Sequence, residues 1–178
     1  MSVTTTTRVS NALHSIYTVF VLDLASRRVQ IVGSTPHPDH AFMRQVSRTL
    51  TAAENGLLQN HRVLICDRDR KWSGEVRQLL GDAGIHVVQT PLQAPNANAY
   101  AERFVRSIKE ECLNRIIPIG ERHFRQAVAE FVLHYHHERN HQGIENELIE
   151  NIASRRREGR IRRRPRLGGL LNYYERAA

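Results

Sequence analysis

From residue 16 to residue 135 the chain alternates short β-branched runs with amphipathic stretches in one order, and that order admits few folds. Ile16–Leu24 (IYTVFVLDL) is β-branched and aromatic, and a polar turn at Ser26-Arg27-Arg28 separates it from Val29–Gly33 (VQIVG), which predicts a hairpin. Residues 40–52 set Phe42, Val46 and Leu50 four apart, the spacing of a helix with one apolar stripe. Arg62–Cys66 (RVLIC) reads as a short apolar strand. Ser73 is a fitting cap for a helix carrying Val76, Leu79, Leu80 and Ala83, which Gly84 ends. Ile85–Gln89 (IHVVQ) is a further strand, and Thr90–Asn98 (TPLQAPNAN), with two prolines and two asparagines, is a loop. Helices follow over about residues 99–113 and 121–135, the second with Phe124, Val128, Phe131 and Tyr135 on one stripe. The order strand, strand, helix, strand, helix, strand, loop, helix, helix predicts an α/β fold, a mixed sheet flanked by helices.

Past residue 150 the periodicity fades. Eight arginines and one glutamate lie between Arg155 and Arg166, so +7 of the formal charge of +8 sits there. This predicts a core over 1–150 and an arginine-rich, partly disordered tail over 151–178 that reads as a linker. The tail is suited to an anionic partner, with Arg155, Arg156, Arg157, Arg162, Arg163 and Arg164 able to meet DNA phosphates; the plainer reading is a solvated basic tail with no specific ligand. Leu167–Tyr174 either docks or is disordered. Length fits one ordinary domain plus this tail. No apolar run is long enough to span a bilayer and no signal-peptide core is present, which implies a cytoplasmic, nucleoid-associated location. Cys66 and Cys112 lack any paired spacing and read as reduced, buried thiols.

Two carboxylates stand out by placement. Asp67 ends an apolar strand, and Glu102 lies in the first turn of the helix after the Pro/Asn loop. A strand end and a helix start can bring two carboxylates to one metal ion; the plainer reading is two surface acids. Arg106 and Lys109 follow Glu102 by four and seven positions, on one helix face, where they suit a DNA backbone. The alternative is an ordinary Glu102–Arg106 surface pair. Asp69 is a candidate extra ligand but reads first as a loop acid paired with Arg68 or Arg70, and Trp72 reads as packing before base stacking. His134, His136, His137 and His141 are spaced for a zinc site on a helix, but no cysteine near them completes one.

Three segments carry a resemblance. Leu64-Ile-Cys-Asp67-Arg-Asp-Arg-Lys-Trp72 resembles the second-aspartate segment of DDE transposases and retroviral-type integrases. Thr90-Pro91 followed by Ala94–Cys112 (APNANAYAERFVRSIKEEC) looks like the glutamate segment of insertion-sequence transposases, and is the most specific of the three. Tyr135–Gly143 (YHHERNHQG) resembles the tyrosine–arginine–histidine stretch that follows, with His136 and Asn140 departing from the usual asparagine and proline. The resemblance implies an RNase H-like sheet, Asp67 and Glu102 as catalytic metal ligands for two Mg2+ or Mn2+ ions, Lys109 against DNA, and assembly of several copies on DNA. The implied reaction is metal-dependent cleavage and strand transfer of DNA.

The same resemblance predicts one departure. The family's first aspartate falls about twenty residues before the segment that holds Asp23, which places it at or before Met1 and makes the 1–150 core an N-terminally truncated one, and Met1–Leu22 contains no Asp or Glu. The first strand is therefore expected to be missing or replaced, with Thr4–Val9 a β-prone segment able to fill part of it without supplying a carboxylate. Asp23 is expected to pair with Arg27 or Arg28 near the turn. The functions implied are an integrase-type core impaired by the absent acid, a non-catalytic DNA-binding remnant or accessory protein, or, further off, an RNA-directed role.

Overall fold

The computed structural model describes residues 2–10 by their backbone, and residues 15–91, 98–150 and 159–176 in full. The chain divides into two compact units, residues 1–106 and 107–178.

In the first unit, β1 (Ser2–Ser10), β2 (Ser15–Asp23), β3 (Val29–Thr35), β4 (Val63–Cys66) and β5 (His86–Gln89) form one sheet in the order β3-β2-β1-β4-β5. The β3-β2-β1 half is antiparallel, and β1, β4 and β5 run parallel. This is the RNase H-like arrangement. The helices α1 (His40–Thr51) and α2 (Gly74–Asp82) supply the crossovers. The first-strand position is filled by the segment that contains Thr4–Val9: Ser2–Ser10 lies between β2 and β4, pairing with both. Its run of threonines is β-branched, which suits an extended backbone even without apolar alternation.

Both faces of β2 are covered, so Val19, Phe20, Val21 and Leu22 are all buried. Val19 and Val21 join Met43, Val46 and Leu50 of α1, Val76 and Leu80 of α2, and Trp72 in one core. Trp72 is thus packing, as its sequence context suggests. Each such side chain withdrawn from water contributes about 1.5–3 kcal/mol. The β2–β3 pairing shifts register beside Gly33, where an added Cβ would lie 3.1 Å from the Phe42 ring; a bare glycine lets α1 close over the sheet. Asp39 caps α1 by accepting from the Phe42 N–H at 2.8 Å, and Ser73 caps α2 by accepting from the Val76 N–H at 3.3 Å. Gly84, at φ +81°, follows α2 where the chain turns into β5.

Helix α3 (Ala99–Glu111) carries the chain into the second unit, which contains α4 (Gly120–His137) and a hairpin of β6 (Ile161–Arg166) and β7 (Leu171–Arg176). Phe124, Ala127, Val128, Phe131 and Tyr135 form the buried stripe of α4. The hairpin stands where the sequence suggested a linker. Its alternation is masked because arginine occupies both faces of β6, leaving no hydrophobic period to read. Residues 151–158, with Arg155, Arg156 and Arg157, lie outside the described residues. Among the described residues no helix is long and apolar enough to cross a membrane.

Candidate functional site

Asp67 follows the last residue of β4 and is half-buried. The loop after it is a ladder of side-chain turns. Asp67 Oδ1 accepts from the Asp69 N–H at 3.3 Å, and Asp69 Oδ1 accepts from the Lys71 N–H at 3.0 Å. Asp69 Oδ2 pairs with Lys71 Nζ at 2.6 Å, a partner the sequence did not suggest. Lys71 also stands over the Tyr17 ring, 4.5 Å from its centroid. An acid neutralised in this way is a poor metal ligand. Arg68 Nε–H donates to the Thr90 carbonyl at 2.7 Å, and the Thr90 N–H donates to the Cys66 carbonyl at 2.9 Å, tying the end of β5 to the end of β4.

The strand beside Asp67 is β1. Its register pairs Ser2 with Leu64, Val3 with Ile65 and Thr4 with Cys66. One further step sets Thr5 at the level of Asp67, while on its other side Thr5 pairs with Phe20. The first strand therefore brings a threonine, not a carboxylate, to this level.

Glu102 is exposed in the first turn of α3. Ala101, Phe104 and Ile108 mark the buried stripe of that helix. At 100° per residue, Glu102, Arg106 and Lys109 fall within about 60° of one another on one flank of it. Phe104 meets Phe20 edge-on, with centroids 4.8 Å apart, which seats the start of α3 over β2. The Arg27 guanidinium lies 3.6 Å from the Tyr100 ring centroid, a second hold on the same turn of helix. Among the described residues Glu102 forms no ion pair with Arg106, so the simple surface-pair alternative is not what the side chains do. No three His, Cys, Asp or Glu side chains converge as a metal-binding group among the described residues.

Asp23 departs from expectation. Its carboxylate accepts from the Ala25 and Ser26 N–H groups and lies 2.7 Å from His61 Nε2, not against Arg27. Burial raises its pKa, but the hydrogen bonds from Ser26, His61 and Ala25 outweigh it and lower the pKa to about 2. The histidine cluster is engaged by other groups: His134 Nδ1 lies 2.9 Å from Glu138, His136 and His137 face Glu150, and His141 Nε2 lies 2.7 Å from the Tyr135 carbonyl. Cys66 and Cys112 are free and buried, and burial pushes both thiols up to about 11.

Of the basic residues named from the sequence, Arg106 is exposed, Lys109 is half-buried, and Arg162, Arg163 and Arg164 are exposed on β6. Sequence reasoning missed four holds: Lys71 on Asp69, His61 on Asp23, Arg27 on Tyr100, and Arg166 on Glu138. None has a spacing signature, although the basic–aromatic composition of each segment is visible.

Residues 83–147 match the integrase core domain family. No curated protein sequence matches the chain. Among solved structures, the catalytic core domain of BIV integrase is similar at a TM-score of 0.55 and 12% identity, covering 79% of this chain and 87% of that one. The HTLV-2 integrase catalytic core domain, in complex with magnesium in a trimeric form, is similar at 0.59 and 9% identity, covering 83% and 92%. The segment that contains Glu102 and the histidine-rich end of α4 thus falls within the integrase core domain match, and the chain has the fold of a retroviral integrase catalytic core.

Proposed function

We propose that this chain is a DNA-binding integrase-core protein of DNA integration or transposition, in which Asp67 and Glu102 are the remaining carboxylates of a metal-dependent site and cleavage is impaired. One observation carries the reading: β1 occupies the first-strand position and pairs Thr4 with Cys66, so the next residue along it is Thr5 where Asp67 follows Cys66. Two carboxylates suit one Mg2+ or Mn2+ ion completed by water. They fall short of the acidic oxygens that two ions in phosphoryl transfer require, and Asp69 is already neutralised by Lys71. When bound, such an ion neutralises charge on a phosphodiester and makes bound water more acidic. Asp67 and Glu102 would hold it. Arg106 and Lys109, on the flank of α3 shared with Glu102, would position the phosphate backbone. The chain would act at the nucleoid in the cytoplasm as several copies on DNA.

The second reading, a non-catalytic DNA-binding or accessory protein, draws on the same threonine. A labelled duplex incubated with the protein in Mg2+ or Mn2+ separates them. The impaired-site reading expects trace cleavage from the wild type, a clear gain from Thr5→Asp, and loss of that gain on adding Asp67→Asn. Salt-sensitive duplex binding with no cleavage by either the wild type or Thr5→Asp would favour the accessory reading. Wild-type cleavage that equals Thr5→Asp cleavage would refute the idea that a third acid is lacking. A preference for RNA over duplex DNA would overturn both.

A further inference from the structure

The β6–β7 hairpin has two unlike faces. Pairing sets Ile161 opposite Arg176, Arg163 opposite Tyr174 and Pro165 opposite Asn172 on one face. All six are exposed, Ile161 by 60% and Tyr174 by 62%. The other face carries Leu171, which is buried, and Arg166, which is clamped onto the Glu138 carboxylate at the C-terminal end of α4. Arg164 on that second face is paired with Glu175. The Leu167 N–H donates to Glu130 at 3.0 Å, so the turn is also held to α4. The second face is docked at its turn end, through Leu171 and Arg166, while Arg162 and Arg164 on it stay exposed; the first face is exposed along its whole length.

The presented face has two arginines and no acid. Arg163 Nε–H is held by Asn172 Oδ1 at 2.7 Å, which orients the guanidinium and leaves its terminal nitrogens without an acceptor among the described residues. Arg176 is anchored through one nitrogen to the Gly159 carbonyl at 3.0 Å. Tyr174 lies opposite Arg163 on the same surface. Arginine and tyrosine donors on a two-stranded ribbon match the phosphate backbone beside a duplex major groove, which is about 12 Å wide and admits such a ribbon.

We infer that the outward face of the β6–β7 hairpin is a docking ribbon for duplex DNA, with Arg163 and Arg176 on phosphates and Tyr174 between them. This rests on the reading of the chain as a DNA-binding protein and adds a surface on the second unit. It also separates the arginines of β6 by role: Arg163 meets DNA, whereas Arg166 holds the hairpin in place.

The test is fluorescence anisotropy of the full chain on a labelled duplex across a salt series. Arg163→Ala and Arg176→Ala should each lower the slope of log affinity against log salt by about 1. Tyr174→Ala should weaken binding without changing that slope. Arg125→Ala removes an exposed arginine that is paired with Glu121 on α4 and should leave the slope unchanged. Unaltered circular dichroism in each variant establishes that the fold is intact. Wild-type binding with an unchanged slope in Arg163→Ala and Arg176→Ala would overturn the ribbon alone, and so would an equal loss in Arg125→Ala. No wild-type binding to duplex DNA would overturn the DNA-binding reading and the ribbon with it. Tighter binding to single-stranded RNA than to the duplex would overturn the assignment to duplex DNA.

Discussion

Replacing Arg166 with alanine should release the β6–β7 hairpin from α4. The Arg166 Nε lies 2.9 Å from both carboxylate oxygens of Glu138, and a terminal nitrogen lies 2.8 Å from Oε1. The Glu138 side chain is 5% exposed, so its charge depends on these donors and on His134 at 2.9 Å. Burial raises the Glu138 pKa, but the Arg166 and His134 hydrogen bonds outweigh that and hold it below the ordinary carboxyl range. Breaking a buried pair from one side costs about 3–5 kcal/mol. Because His134 remains and the Arg166 side chain is 26% exposed, about 2–4 kcal/mol is the reasonable span here. A two-stranded hairpin is marginal by itself, so a loss of that size should undock it. Native-state hydrogen exchange reads this directly: amides of residues 161–176 should lose protection by roughly 30- to 1000-fold, at about 1.4 kcal/mol per factor of ten. The α4 amides around Phe124–Phe131 should change less. The Glu138→Gln variant should give a similar loss, and the double variant should cost less than the two singles added. A carboxyl with a depressed folded pKa contributes stability above its unfolded value and loses it as pH falls through the folded value. Hairpin release in the wild type should therefore begin only as the pH falls below the ordinary carboxyl range. Unchanged protection in Arg166→Ala, or strictly additive variants, would refute the clamp.

Three further outcomes follow from the same contacts. Asp23, held at about 2, should contribute about 2 kcal/mol that is fully present above about pH 4 and lost as pH falls toward 2; urea unfolding of wild type and Asp23→Asn should differ at pH 7 and converge in acid. Phe104→Ala removes the ring that seats α3 on Phe20 and should cost about 3–5 kcal/mol, seen as a lowered urea midpoint. Cys66 and Cys112, buried with thiols pushed up to about 11, should stay unmodified by a thiol reagent at pH 8 until denaturant is added.

The β2–β3 hairpin, α1, β4, α2, β5 and α4 were legible because their apolar residues repeat at a single period. Ser73 and Gly84 also mark the ends of α2 in the sequence itself. The first strand was only half legible: four threonines in a row are β-prone but give no alternation to tell a covered strand from a polar tail. The hairpin of β6 and β7 was hidden for the opposite reason, since arginine serves both its docked and its presented face. At the candidate site, the placement of Asp67 and Glu102 could be read from a strand end and a helix start. Their surroundings could not. Asp69 reaches Lys71 through a turn its own side chain builds, a partner that adjacency in sequence did not suggest. Asp23 finds His61, 38 positions away, through the packing of the segment before β4, which no local pattern encodes.

On the proposed reading, the charge balance around Asp67 bears on how DNA binding and DNA cleavage would separate. From Asp67 to Lys71 there are two acids and three bases. Asp69 is paired with Lys71, and Asp67 is close in sequence to the exposed Arg68 and Arg70. A third carboxylate at Thr5 would add repulsion against any approaching phosphate. That repulsion is about 1 kcal/mol at 4 Å in water and about 4 at an effective dielectric of 20, and a divalent ion would be needed to offset it. On the proposed reading, a threonine at this level would leave a phosphate facing less negative charge and an ion held by fewer acidic oxygens, which would favour holding the backbone over cutting it. The Thr5→Asp variant is therefore informative in both directions: gained cleavage should come with weaker binding when no divalent ion is supplied.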